Sequence, residues 1–276
     1  MDLIKNTVRK KLLNPDKDTN KVTEISLKKY HTKKLIIAND YVLTVTIEET
    51  NNPMKHILFF HGGAYVQHGS NFHKNTVKRF IKMGYRVSYF EYPLGTSNTI
   101  QNMVEFSYKA YLQLRSIYSQ DEYVIFGDSA GGGLALLLQI KLREKDKIIT
   151  KVALSSPWLD LSLTNPEMDD YEKKDRFLPR DALIDIGEIV SGDLETTDSQ
   201  VSPIYDHLNG LGDIQIYYTD SEILTPDCNL FVSKVDNLQS TTIKSYIAHK
   251  LPHDYVVITH FPQSKKAIEE IHLFYQ

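Results

Sequence analysis

Ser129 lies among small residues in the run Gly127-Asp128-Ser129-Ala130-Gly131-Gly132. A serine hydroxyl is a poor nucleophile until a base removes its proton. Three uses of such a run compete: a phosphate-cradling glycine loop, the GDSGG-like segment of trypsin-type proteases, and a strand-to-helix elbow that projects a nucleophile. A phosphate loop wants G-x-x-x-x-G-K-[ST], and no lysine follows Gly133. A trypsin-type protease is all-β and usually disulfide-bonded, whereas this chain alternates strands with helices and has one cysteine, Cys228. The elbow needs an apolar strand leading in, small residues where strand and helix pass, and a helix leading out. Residues 124–126, Gly127 and Gly131 on either side of Ser129, and the helix-forming run 131–143 supply these. A helix starting there aims its positive end at a developing oxyanion.

An acyl-transfer site also needs backbone N–H groups aimed at the oxyanion. The segment HGGAY (residues 61–65) follows the apolar run HILFF, and its two glycines let backbone approach a substrate closely. The expected donors are the amides of Gly63, Ala64 and Ala130. Gly62, which also shapes the turn, Tyr65 and Asp128 are the expected substrate contacts. His61 reads as structural, bonding neighbouring backbone. The spacing of His61, His68 and His73 fits no familiar zinc pattern, so no metal or other cofactor is expected.

The base is one of ten histidines. Where the nucleophile sits on such an elbow, the acid and then the histidine follow it along the chain. His249, His253 and His260 qualify by position. His253, in LPHDY, lies in mid-loop, where a side chain can reach back to the elbow. The acid should follow the apolar strand IQIYY (residues 214–218). Asp220 and Glu222 share that position evenly, and Asp227 reads as a cap of the next helix.

These groups must be held by a scaffold. Short apolar runs at residues 56–60, 85–92, 123–126, 148–155, 214–218 and 242–248 read as strands. The stretches 72–83, 100–118, 131–143, 229–235 and 263–274 read as helices. This alternation predicts βαβ crossovers and a mostly parallel sheet with helices on both faces. An antiparallel opening is expected over residues 22–48, turning at Asn39-Asp40. The chain reads as one domain, 1–276, with a lid insertion at 161–200 that contains a helix candidate, PRDALIDIGEIV.

Composition excludes several alternatives. The 276 residues are 41% hydrophobic and 24% charged, with a formal net charge of −3 and basic residues spread along the chain, so no nucleic-acid partner is expected. A single cysteine fits a reducing, cytoplasmic compartment. The opening MDLIKNTVRKKLL is charged throughout and reads as neither signal peptide nor membrane span. Leu3, Ile4, Val8, Leu12 and Leu13 are helically spaced and predict a short helix docked on the protein's own surface rather than stable membrane insertion.

With these pieces placed, the chain resembles the hormone-sensitive-lipase-like branch of the α/β-hydrolases, which contains bacterial carboxylesterases and acetyl esterases. HGGAY is similar to the family's oxyanion segment, and GDSAGG matches its elbow residue for residue. SPWLDLS (156–162) and VSPIY (201–205) resemble segments bracketing the lid, SEILTPD the acid loop, and LPHDY the loop carrying the base. The resemblance runs from about residue 56 onward. It implies an α/β-hydrolase fold and hydrolysis of small carboxylic esters, with short acyl groups preferred, by Ser129, Glu222 and His253 without a cofactor. Ala64 replaces the family's third glycine but keeps the N–H. EYPLGTS departs from the family's longer Y-R-L-A-P-E stretch, and Thr219 stands where a glycine is expected near the acid. HGG followed by an aromatic residue also resembles the oxyanion segment of arylformamidases, which keeps amide cleavage as a rival, with small-peptide hydrolysis on the same triad a further one. A non-catalytic binding protein on the same fold and a membrane-associated lipase are the other readings.

Overall fold

The computed structural model describes residues 3–16, 31–37, 40–46 and 55–276. The described strands are β1 (His31–Ile37), β2 (Asp40–Thr46), β3 (Lys55–Phe60), β4 (Arg86–Glu91), β5 (Glu122–Asp128), β6 (Lys151–Ser155), β7 (Gly212–Thr219) and β8 (Thr241–Ala248). They form one sheet in the order β1-β2-β4-β3-β5-β6-β7-β8. β1 and β2 pair antiparallel, as do β2 and β4, and every other pairing is parallel. The expected antiparallel opening is therefore present at 31–37 and 40–46, whereas residues 22–30, Asn39 and residues 47–48 lie outside the described residues.

Helices cover both faces because the central strands are apolar on both. In β3, Ile57 and Phe59 face one core with Val77 and Phe80 of α2 (Asn71–Lys82) and Ile268 of α8 (Pro262–Tyr275). Leu58 and Phe60 alternate to the other core. There they meet Met103 of α3 (Ile100–Ile117), Leu134 of α4 (Ala130–Arg143) and Phe231 of α7 (Thr225–Val235). Two further helices, α5 (Met168–Glu172) and α6 (Arg180–Ser191), lie in the segment 161–200, and α1 (Leu3–Leu12) precedes the sheet. α7 starts four residues earlier than its apolar pattern suggests. Pro226 occupies its first turn, where a missing N–H costs no hydrogen bond.

The passage from β5 to α4 is tight. A Cβ on Gly131 would lie 2.3 Å from the Phe60 carbonyl oxygen and 2.4 Å from that of His61. Both are main-chain atoms of the neighbouring β3 edge and cannot swing aside. Gly131→Ala should therefore lower stability by about 1–3 kcal/mol, read as a fall in Tm of at least about 2 °C for a chain of this size. An unchanged Tm would mean that the contact is slack.

Candidate active site

β5 ends at Asp128, and Ser129 turns the chain into α4 with φ 54° and ψ −122°. A non-glycine residue at this φ is strained and persists only where its surroundings over-determine it. Here they do. The Ser129 N–H donates to the Ser155 carbonyl at 2.8 Å, and its own carbonyl accepts from Trp158 N at 2.9 Å, Gly132 N at 3.0 Å and Gly133 N at 3.2 Å. The end of β6 and the first turn of α4 thus lock the elbow.

Ser129 Oγ lies 2.9 Å from His253 Nε2. The other ring nitrogen, Nδ1, bonds Glu222 Oε2. Glu222 is fully buried. Its Oε1 accepts from Ser156 Oγ at 2.8 Å and from Thr219 N at 3.2 Å, so the carboxylate is oriented from both sides. Asp220, the other acid reached by position, points elsewhere. It bonds His249 Nδ1 at the surface and accepts from Lys250 N at 2.8 Å and Ser221 Oγ at 2.7 Å. Asp227 does not cap α7 but lies within it, buried and bonded to Asn165 Nδ2 at 3.0 Å. His260 is not among the residues around the serine.

Burial disfavours charge on His253, but the carboxylates of Asp254, Glu222 and Asp175 outweigh it and lift the imidazole to about 9. Burial in turn pushes Asp254 and Asp175 upward, while the facing imidazolium favours the charged form of each, as do Ser155 Oγ on Asp254 and three main-chain N–H groups on Asp175.

The oxyanion segment forms a turn with three consecutive positive φ angles: Gly63 at 125°, Ala64 at 52° and Tyr65 at 62°. It closes through Val66 N and Gln67 N, which donate to the Gly63 carbonyl at 3.1 and 3.0 Å. The amides of Gly63 and Ala64 find no acceptor among the described residues, and Gly63 and Ala64 line the cavity beside Ser129. Ala130 opens α4, so its N–H has no intrahelical partner. Gly62 is different. Its N–H donates to Asp128 Oδ2 at 2.9 Å.

Two expected substrate contacts are placed otherwise. Asp128 borders the cavity, but its Oδ2 is engaged by Gly62 N and by His73 Nε2 at 2.9 Å. His73 Nδ1 accepts from Ser70 N at 2.8 Å, so Nε2 carries the proton that it donates to Asp128. Asp128 therefore holds the oxyanion loop against the elbow. Tyr65 does not reach the cavity. Its left-handed backbone turns the ring into the core, fully buried and packed against Trp158. His61 Nδ1 donates to the Gly62 carbonyl at 2.7 Å, and its ring stacks on Tyr89 and Tyr92, a structural position. Sequence reasoning missed His73, Ser156, Asp175 and Asp254. Two of them carry a local signal: His73 lies three residues after the capping Ser70, and Asp254 directly follows the base.

Ser129 opens into a cavity of about 340 Å³. Its walls include Val8 and Leu12 of α1, Trp158, and Phe177, Leu178 and Leu183 of the segment 161–200. Asp175 ties this segment to the acid loop, accepting from Phe177 N at 2.6 Å, Leu178 N at 2.9 Å and Ile223 N at 2.9 Å. α1 docks on the same segment through Arg9, which donates to Asp181 Oδ2 at 2.7 and 2.9 Å, and through Lys5 Nζ, 3.4 Å from the Asp175 carbonyl. Among the described residues no helix is long and apolar enough to cross a membrane.

A nucleophile elbow at the end of a central parallel strand, with acid and base on loops after later strands, defines the α/β-hydrolase class. The family profile described as alpha/beta hydrolase fold matches residues 57–257, and the chain belongs to this family. An esterase of Acinetobacter venetianus is 27% identical over 220 residues, 78% of this chain and 72% of that protein. The esterase LipU of Mycobacterium tuberculosis is 28% identical over 187 residues, 65% of this chain and 63% of that protein. The crystal structure of an esterase from the bacterial hormone-sensitive lipase family superposes with a TM-score of 0.81 at 21% identity, covering 98% of this chain and 89% of that one.

Proposed function

We propose that this protein is a serine hydrolase of small carboxylic esters, of the hormone-sensitive-lipase-like type. The observation that carries the reading is the continuous chain from Ser129 Oγ through His253 to Glu222, beside the unpartnered Gly63 and Ala64 amides. The names of the relatives support it. His253 Nε2 takes the Ser129 proton as Oγ attacks the ester carbonyl, and Glu222 stabilises the imidazolium. The amides of Gly63, Ala64 and Ala130 receive the oxyanion. The proton passes to the alcohol as it leaves, and water releases the acid from the acyl-enzyme.

Residues 1–276 act as one catalytic unit with 161–200 as its lid, because Phe177, Leu178 and Leu183 supply cavity wall. The cavity is at the small end of the roughly 300–1,000 Å³ range of ligand pockets, which favours short acyl groups. A p-nitrophenyl ester series from acetate to laurate tests this. kcat/KM is expected to peak at the shorter chains and fall as the acyl group outgrows the cavity. A maximum at the longest chain would overturn the short-chain assignment. Turnover of N-formylkynurenine above that of every ester would replace ester by amide chemistry.

A further inference from the structure

A carboxylate that the triad does not use stands beside the base. Asp254 follows His253 directly, and its Oδ2 lies 3.3 Å from His253 Nε2. Every other part of Asp254 is fixed. Oδ1 accepts from Ser155 Oγ at 3.1 Å, and the main-chain N–H donates to Ser156 Oγ at 3.3 Å. Its carbonyl accepts from Val257 N at 3.0 Å and Ile258 N at 3.3 Å. The residue is held at φ 59°, a conformation in which Asp and Asn are enriched among non-glycine residues. Asp254 also lines the cavity. Ser129 Oγ and Asp254 Oδ2 therefore both stand within 3.3 Å of the same ring nitrogen, in residues that line the cavity.

The two halves of an acyl transfer place different atoms against Nε2. In acylation the leaving alkoxy oxygen takes the Nε2 proton and carries no hydrogen of its own. Oδ2 has nothing to accept. In deacylation a water molecule occupies that place. One of its hydrogens goes to Nε2, and the other needs an acceptor in a cavity whose nearby walls are largely apolar.

We propose that Asp254 holds the hydrolytic water, with Oδ2 accepting one O–H while His253 Nε2 accepts the other. The water oxygen then bonds to the acyl carbon as its proton passes to Nε2. The bond from that carbon to Ser129 Oγ breaks, Oγ regains a proton from Nε2, and the carboxylic acid is released. Asp254 thus serves the second half-reaction and not the first. The inference rests on the acyl-enzyme reading above.

The charged groups facing His253 are Glu222, Asp254 and Asp175, and those facing Asp254 include His253, Glu222 and Asp128. The flanking carboxylates raise the imidazole to about 9 against the effect of burial. A neutral base is thus favoured as pH rises, and wild-type kcat/KM rises with pH through this region. Removing the Asp254 charge lets the imidazole lose its proton at lower pH.

The test is Asp254→Asn, with Asp254→Gly as a second variant that also accepts the positive φ. In the Asn variant Ser155 retains its acceptor, and an N–H₂ donor replaces Oδ2. Stopped-flow release of p-nitrophenol from p-nitrophenyl acetate separates the two steps. On the alkaline plateau, where the imidazole is neutral in all three proteins, both variants are expected to keep the acylation burst and kcat/KM within about threefold while kcat falls about 10–100-fold. The acidic limb of kcat/KM is expected to move to lower pH. Equal losses in kcat/KM and kcat, or no loss in kcat, would overturn the proposal. No p-nitrophenol release by the wild type beyond that of Ser129→Ala would instead sink the esterase reading beneath it.

Discussion

Ser129→Ala should reduce kcat for p-nitrophenyl acetate by at least about 10³-fold, with losses near 10⁶ known for comparable triads. Oγ is the group placed 2.9 Å from His253 Nε2, and among the described residues no other hydroxyl shares that position. The Gly63 and Ala64 amides remain in the variant, so residual catalysis above the solvent rate is expected from oxyanion stabilisation alone. Folding should be little changed. The elbow is held by main-chain bonds to Ser155 and Trp158, which alanine keeps, and its Oγ caps nothing. A folded Ser129→Ala protein with near-normal turnover would overturn the nucleophile assignment. A fluorophosphonate probe should label the wild type and leave the variant unlabelled.

Glu222→Gln should cost about 10³–10⁴-fold in kcat, while Asp220→Asn should change it by no more than about threefold. Thr219 N and Ser156 Oγ both donate to Oε1, so a glutamine at 222 would present its carbonyl oxygen to them. Its N–H₂ would then face His253 Nδ1. That nitrogen must become an acceptor, which puts the ring proton on Nε2, where it blocks removal of the Ser129 proton. Volume and packing barely change, so the loss reports tautomer and charge. Asp220 serves His249 and the turn at Lys250 instead. Steady-state kinetics on the two variants, compared at one pH, checks the assignment. Reversed losses would transfer the acid role to Asp220.

The contrast between those two acids also marks what local sequence carries. The elbow is legible because strand, serine and helix are contiguous, and each imposes its own residue types on about twenty positions. The central strands are legible because burial on both faces leaves near-continuous apolar runs. Asp220 and Glu222, two residues apart, cannot be told apart in this way. Their difference lies in Ser156, 66 residues away from Glu222, whose hydroxyl meets one carboxylate and not the other. Tyr65 directly follows the oxyanion segment in the chain and reads there as a substrate contact. A run of positive φ angles, invisible in composition, turns it inward. Asp128 reads as a substrate contact until His73 arrives from α2 to claim it. Asp254 is adjacent to the base in sequence, yet its direction is set by Ser155 on β6.

The docking of α1 on residues 172–181 has a consequence for biosynthesis. Arg9 and its partner Asp181 are 172 positions apart. At translation rates of about 5–20 residues per second, α1 emerges roughly 10–35 s before its seat exists. Through that interval the Phe177, Leu178 and Leu183 side of the cavity wall is not yet there for Val8 and Leu12. The lysines and arginine interspersed among them keep the waiting segment charged, which opposes its association with other nascent chains. The rim of the cavity is therefore completed only once two segments far apart in the chain have both been made.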